Sequence, residues 1–298
     1  MTIDEVRKTC GDYPVKFSAG GGGLACLDIR TELAEARVYL HGAHVAHYAP
    51  RGQKPVLFMS GASYFQSGKP IRGGVPVCFP WFGPREGDPG APAHGFARLQ
   101  EWEVASVQTL AEGAVEIVFR LEPTDLSRKY WTPRFVLEHR VRVGRELSMN
   151  LVVRNTDARP FSIQEALHTY FVVSDVRKVS VTGVENVTFM DKVDEMRRKV
   201  ETADPLRFSG ETDRHYMSTS GVCVIHDPDL NRRITISKRG SQTTVIWNPW
   251  VAKAAAMADF GDEEWPGMLC VETCNEAENG VTIEAGGSHE MEARIRVD

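Results

Sequence analysis

The 298-residue chain contains no run of about 18 uninterrupted apolar residues, so no transmembrane helix is expected. Its opening segment, MTIDEVRKTC, has no apolar stretch of the kind a secretory signal needs, and none is read there. Six cysteines (Cys10, Cys26, Cys78, Cys223, Cys270 and Cys274) lack the spacing of a disulfide framework or a zinc site. Reduced thiols in a cytoplasmic protein are the expectation. No block of Lys or Arg stands out, and 35 basic against 40 acidic residues give a net charge of −5. That balance argues against nucleic acid or an anionic membrane as the main partner, though one or two arginines suffice for a small anion. No linker rich in Pro or Ser divides the chain, and no repeat of about 20–50 residues is visible. Gly20 to Gly23 precede no Lys-Ser/Thr pair and read as a turn rather than a phosphate loop. Helical periodicity is scarce; the best candidate, 191–201, is charged and reads equally as a loop between strands.

What the chain has instead is alternation. Val115, Ile117, Phe119 and Leu121 share one face of VEIVFRL, and Phe135, Leu137, Val141 and Val143 share one face of FVLEHRVRV. Leu147, Met149, Leu151 and Val153 follow, and Met291, Ala293, Ile295 and Val297 close the chain. Period-two segments punctuated by turns are the mark of antiparallel sheets. The expected fold is all-β, one large antiparallel β-sandwich spanning residues 1–298 as a single domain. The irregular stretches 70–98, 205–216 and 247–266 are the places where a site would form.

Two apolar strands carry unexpected polar residues. In EALHTYFVV, His168 shares a face with Ala166, Tyr170 and Val172, in what reads as the middle of one strand. In MLCVETCN, Glu272 shares a face with Met268 and Cys270. A His and a Glu in such settings suit paired acid–base chemistry, and two unrelated core positions with local hydrogen bonds would look the same. The segment PIRGGVPVCFPWFGP is either a plug at the sandwich end or a binding wall, with Arg72 aimed at an anion and Trp81 or Phe82 beside a sugar. His94 and Arg98 stand in HGFAR, a weak signal by itself. His41, His44 and His47 are spaced by three, which in a strand sends neighbours to opposite faces and disfavours a metal.

The ordered set IRGGVPVCFPWFG, HGFAR, EALHTYF, TDRHY, WNPW and CVET resembles the glucose-6-phosphate 1-epimerase branch of the aldose 1-epimerase family. The resemblance covers nearly the whole chain and implies a galactose mutarotase-like β-sandwich with a cleft on one sheet. By motif it implies His168 as general acid, Glu272 as general base, and Arg72 and Arg98 as phosphate-binding arginines. It further implies that His94 lines the cleft and that Asp213 contacts substrate. The sequence departs at Ala93, where relatives often carry a polar residue, and at Thr273, where they often carry proline. The first departure bears on one sugar hydroxyl contact.

The reaction so implied interconverts the α and β anomers of a hexose 6-phosphate, glucose 6-phosphate foremost. The base takes the C1 hydroxyl proton, the acid protonates the ring oxygen, the C1–O5 bond opens, and the ring recloses from the other face. It requires no metal and no cofactor, and a monomer is expected. Ordinary pKa values leave Glu ready as a base, and a carboxylate neighbour, Glu272 or Asp213, would raise the pKa of His168. A mutarotase for unphosphorylated aldoses and a non-catalytic phosphosugar-binding protein are the alternatives. The arginines weigh against the first, and the presence of both His168 and Glu272 against the second.

Overall fold

In a computed structural model, residues 5, 6, 8, 10 and 14–298 are described. Two eight-stranded sheets dominate, joined by a four-stranded sheet (Val15–Ala19, Ala25–Arg30, Ala34–Tyr39, His44–Pro50) and a two-stranded one (Phe161–Ile163, Val281–Ile283). Every strand pairing in them is antiparallel.

The first large sheet holds the four alternating segments. Val115–Leu121, Phe135–Val143, Leu147–Asn155 and Ser288–Val297 lie side by side with their apolar residues inward. Val297 alone of the expected inward set is only half-buried. The inward row of Phe135–Val143 also takes in His139, fully buried, with Nδ1 3.1 Å from the Ala43 carbonyl oxygen. One hydrophobic core draws on both large sheets: Phe135 of the first packs 5.3 Å from Phe79, which follows the strand Val77–Cys78 of the second. Burying such rings is the main stabilising term.

The second large sheet runs in the order Arg197–Val200, Thr188–Asp191, Thr212–Tyr216, Thr243–Asn248, Met268–Asn275, Glu165–Leu167 and Val77–Cys78. Met268–Asn275 is its buried spine, all eight residues being inaccessible. It pairs on one side with Thr243–Asn248 and on the other with two short strands in succession, Glu165–Leu167 and Tyr170–Val172.

One expectation changes here, and one open reading is decided. His168 is not mid-strand: His168 and Thr169 interrupt the ladder, and the His168 amide donates to the Pro76 carbonyl instead. The register survives the interruption, since Leu167 faces Thr273 before it and Tyr170 faces Cys270 after it. The charged segment 191–201 is a hairpin rather than a helix, with a short 3-10 turn, Lys192–Asp194, leading to the strand Arg197–Val200. The stretch 205–216 ends in the strand Thr212–Tyr216, and 247–266 contains the helix Trp250–Ala255. Gly20 to Gly23 turn the chain, as expected, with Gly22 at φ 60°.

Phe135 has the core of both sheets around it, so Phe135→Ala should lower stability by about 3–5 kcal/mol. Urea unfolding monitored by circular dichroism reads this directly; a loss below about 1 kcal/mol would mean that the two sheets do not share this core.

Candidate active site

Sheet register explains why the polar residues meet. His215 faces Val245, Val245 faces Glu272, and the continued register sets Glu272 opposite His168. Side chains in one such row point to one face of the sheet. The next row is Asp213, Trp247, Cys270 and Tyr170. Two adjacent rows thus carry the acidic, imidazole and aromatic groups onto one face.

From these rows Val245, Glu272, His168, Asp213, Trp247 and Tyr170 form the floor of a cavity of about 190 Å³, walled by Arg72, Phe82, His94, Lys192, Lys253 and Met257. At its bottom His168 Nε2 lies 3.3 Å from Glu272 Oε1, with both side chains almost wholly buried. The His168 ring stacks on Tyr170 at 4.9 Å and 13° and meets His94 edge-on at 5.6 Å. Its Nδ1 is buried without a partner.

The walls come from the loops. Gly73 and Gly74, with φ of 107° and 57°, let the chain after Arg72 pass against its neighbours. A Cβ on Gly74 would sit 2.4 Å from the Val45 carbonyl oxygen, so no side chain fits. Arg72 reaches into the cleft from there, donating to Tyr170 Oη at 3.0 Å and to both Asp259 oxygens at 3.1 and 3.2 Å. His94, itself at φ 63°, accepts at Nδ1 from the Gly83 amide at 3.3 Å. Of the two aromatic candidates, Phe82 lines the cavity and packs on His94 at 4.7 Å. Trp81 turns into the core and donates to the Pro92 carbonyl.

Asp213 Oδ1 lies 3.1 Å from His215 Nε2, and Oδ2 lies 3.3 and 3.7 Å from the ammonium groups of Lys192 and Lys253. Arg98 stands apart: it is not part of the cavity wall, and its Nη2 donates to the Ala93 carbonyl at 2.9 Å. It acts on the site through its charge. Lys192, Lys253, Trp247, Tyr170 and His215 carried no signal strong enough to be singled out by sequence. TDRHY and WNPW mark their neighbourhood only after the register is known.

The electrostatics reverse one expectation. Burial, then the charges of Arg98 and Arg72, push the pKa of His168 down to about 3, more than Asp213 pushes it up. Burial, then the neighbouring Asp213, hold Glu272 well above the ordinary carboxylate range, eased by His215 and Lys192. Both groups are thus driven toward their neutral forms, His168 downward and Glu272 upward in pKa. His94 is held well below its ordinary value, by burial first and Arg98 second. His215 goes the other way. Burial disfavours its charge, but hydrogen bonds to Asp213 and Glu276 outweigh that and raise its pKa to about 9.

Among the described residues, the one group of three potential metal ligands within 4.8 Å of one another is His168, Cys270 and Glu272. The spaced histidines part company: His41 Nε2 meets the Lys69 carbonyl at 2.7 Å, whereas the buried His44 has its Nε2 unpartnered.

An antiparallel β-sandwich with a buried His–Glu pair at the floor of a cationic cleft is a frame suited to acid–base isomerisation. The chain belongs to the aldose 1-epimerase family, whose model matches residues 26–296, and is accordingly an epimerase. It is similar to a protein of Escherichia coli (strain K12) provisionally named glucose-6-phosphate 1-epimerase, 38% identical over 263 residues, covering 88% of this chain and 87% of that one. Among solved structures it is similar to a provisionally named mutarotase, YeaD, from Salmonella typhimurium. That match has 30% identity and a TM-score of 0.90, and covers 100% of this chain and 99% of the other. A galactose mutarotase related enzyme from Lactobacillus acidophilus shares the fold at 14% identity and a TM-score of 0.73, over 92% of this chain and 97% of that one. The fold is the galactose mutarotase-like β-sandwich.

The two histidines should titrate at opposite ends of the pH scale. His168, depressed, takes no proton until the pH falls towards about 3; His215, raised, keeps its proton until the pH climbs towards about 9. Their stability contributions follow the same signs. That of His215 is complete below the unfolded value of about 6.5 and fades as pH rises towards about 9, and that of His168 fades as pH falls from about 6.5. Imidazole 15N shifts recorded from pH 4 to 10 check this. Two rings titrating together near neutrality would overturn the charge assignment.

Proposed function

We propose that the protein interconverts the α and β anomers of a hexose 6-phosphate, glucose 6-phosphate foremost, with His168 as general acid and Glu272 as general base. The observation that carries this reading is the 3.3 Å His168–Glu272 contact under a cleft lined by Arg72, Lys192 and Lys253. Three cations line it beside Asp213 and a Glu272 driven toward its neutral form, with Asp259 paired to Arg72, in a chain whose net charge is −5. A surplus of positive charge in a cleft favours an anionic substrate.

The pair reaches its working form without taking a proton from solvent. Moving the proton from Glu272 to His168 converts a neutral acid and neutral imidazole into carboxylate and imidazolium, with the same total charge. A bound phosphate dianion favours that transfer, because it offsets the arginine charge that holds His168 down. Glu272 then takes the C1 hydroxyl proton, and His168 donates to the ring oxygen as the C1–O5 bond opens. After rotation about C1–C2, the ring closes by the reverse transfers, and both groups return to their starting states.

Phosphate held at the mouth fixes C1 over the pair. Arg72 is the first candidate for that contact, with a planar fork suited to phosphate oxygens. Arg98 keeps further N–H donors beside its bond to Ala93, but it serves as a phosphate ligand only if its side chain turns into the cleft, and otherwise contributes field alone. His94 shapes the wall beside His168, and Asp213 is placed to accept from a sugar hydroxyl. The working unit in this proposal is a monomer. Six unpaired, buried cysteines are in keeping with a reducing, cytoplasmic setting.

The deciding experiment is NMR magnetisation exchange between the anomeric C1 protons of glucose 6-phosphate, with glucose as the control. Faster exchange for the phosphate sugar alone is expected. Acceleration of glucose alone would move the activity to free sugars, and binding without acceleration would leave a phosphosugar-binding protein. His168→Ala and Glu272→Gln should fold and lose most activity; wild-type turnover in either would remove its assigned role. Arg72→Ala should weaken binding by about 1.5–3 kcal/mol, the loss of hydrogen bonds to a charged group, and is read as a raised KM for glucose 6-phosphate.

A further inference from the structure

His215 shares the cleft face with the acid–base pair but has no part in the proton transfers. Its Nε2 lies 3.1 Å from Asp213 Oδ1, and its Nδ1 lies 3.1 Å from Glu276 Oε1. The ring is 4% exposed, and its two partners are 5% and 6% exposed, so water cannot substitute for either bond. A neutral imidazole donates from one nitrogen only, and its other nitrogen would then turn a lone pair toward a carboxylate. Both contacts are satisfied only by the imidazolium, which donates from both. The Phe82 ring closes over it edge-on at 5.9 Å.

The charged groups around His215 come from four elements. Asp213 lies on its own strand, Glu272 and Glu276 on and just beyond Met268–Asn275, Lys192 in the 3-10 turn, and Lys253 in the helix Trp250–Ala255. With His215 on Oδ1 and the two lysines on Oδ2, the Asp213 carboxylate is held from both sides.

Glu272 and Glu276 share this pocket with Asp213. Without a cation between them, three buried carboxylates would repel one another, and at least one would take up a proton. Asp213 and Glu276 both raise the proton affinity of Glu272, and His215 lowers it.

We propose that His215 is a positioning residue for anomer exchange: clamped between Glu276 and Asp213, it fixes Asp213 against the bound sugar and keeps a permanent positive charge behind Glu272, a role that presupposes Glu272 as the base. It touches neither reacting atom. Its work is done through Asp213, which it orients, and through Glu272, whose readiness to accept a proton it sets.

The test is the pH dependence of glucose 6-phosphate anomer exchange for the wild type, His215→Gln and Glu276→Gln. A glutamine at 215 can still donate to Asp213 but carries no charge. Its kcat should fall at least tenfold at neutral pH, more than its KM rises. The basic limb of its rate profile should move to higher pH by half a unit or more, because Glu272 then holds the pair's single proton more tightly. Glu276→Gln removes a negative charge from the same pocket, so its basic limb should move the opposite way, to lower pH. Opposite displacements support the clamp. A merely structural histidine would lower the melting temperature and the rate at every pH while leaving the limbs in place, and that result overturns it. Should His215→Gln not fold, Glu276→Gln decides alone: an unmoved limb overturns the role. A wild type that accelerates no exchange removes the reaction itself, whereas an active wild type whose two variants keep its profile removes only the part given to His215.

Discussion

The buried strand Met268–Asn275 is the constraint on which the cleft depends. Its backbone groups are paired with Thr243–Asn248 on one side and with two short strands on the other. A slip of one residue in either pairing would send Glu272 to the opposite face of the sheet. The register is maintained across the break at His168 and Thr169, where the ladder opens but no residue is gained or lost. That break turns the His168 amide to the Pro76 carbonyl and leaves its ring facing Glu272.

Burial then sets the chemistry. A carboxyl and an imidazole taken out of water are both driven toward their neutral forms, one upward and one downward in pKa. The arginines near them add to the effect on His168, so the imidazole at the cavity floor is uncharged near neutral pH. The same low-dielectric surroundings strengthen the ionic contacts of His215, which stays charged because two carboxylates face it. Two histidines on one sheet face therefore sit in opposite charge states, separated by what each nitrogen meets.

The loops supply what the sheet lacks. Arg72 enters from a glycine-bearing turn and is anchored by Tyr170 and Asp259. Lys192 comes from a hairpin turn and Lys253 from a short helix, and both converge on Asp213 Oδ2. A rigid sheet that holds the His–Glu pair, with charged side chains supplied by loops, is a division of labour that β-scaffolds support readily.

Alternation along Val115–Leu121, Phe135–Val143, Leu147–Asn155 and Ser288–Val297 determined by itself that the protein is a β-sandwich, because a strand's two faces are written in its period. The motifs around His168 and Glu272 likewise marked two buried polar residues, which the register brings to 3.3 Å of each other at the cavity floor. The charge states of those residues were not legible. A pKa depends on burial and on charges brought near from distant parts of the chain, and burial, then Arg98 and Arg72, reversed the shift that a carboxylate neighbour suggested for His168. Nor was the choice between Trp81 and Phe82, adjacent in sequence, which the turn decides by sending one to the core and one to the cleft. Lys192, Lys253 and His215 are ordinary residues in their own segments. Only the tertiary fold gathered them, because their meeting point, Asp213, lies across strands and loops that no local pattern connects.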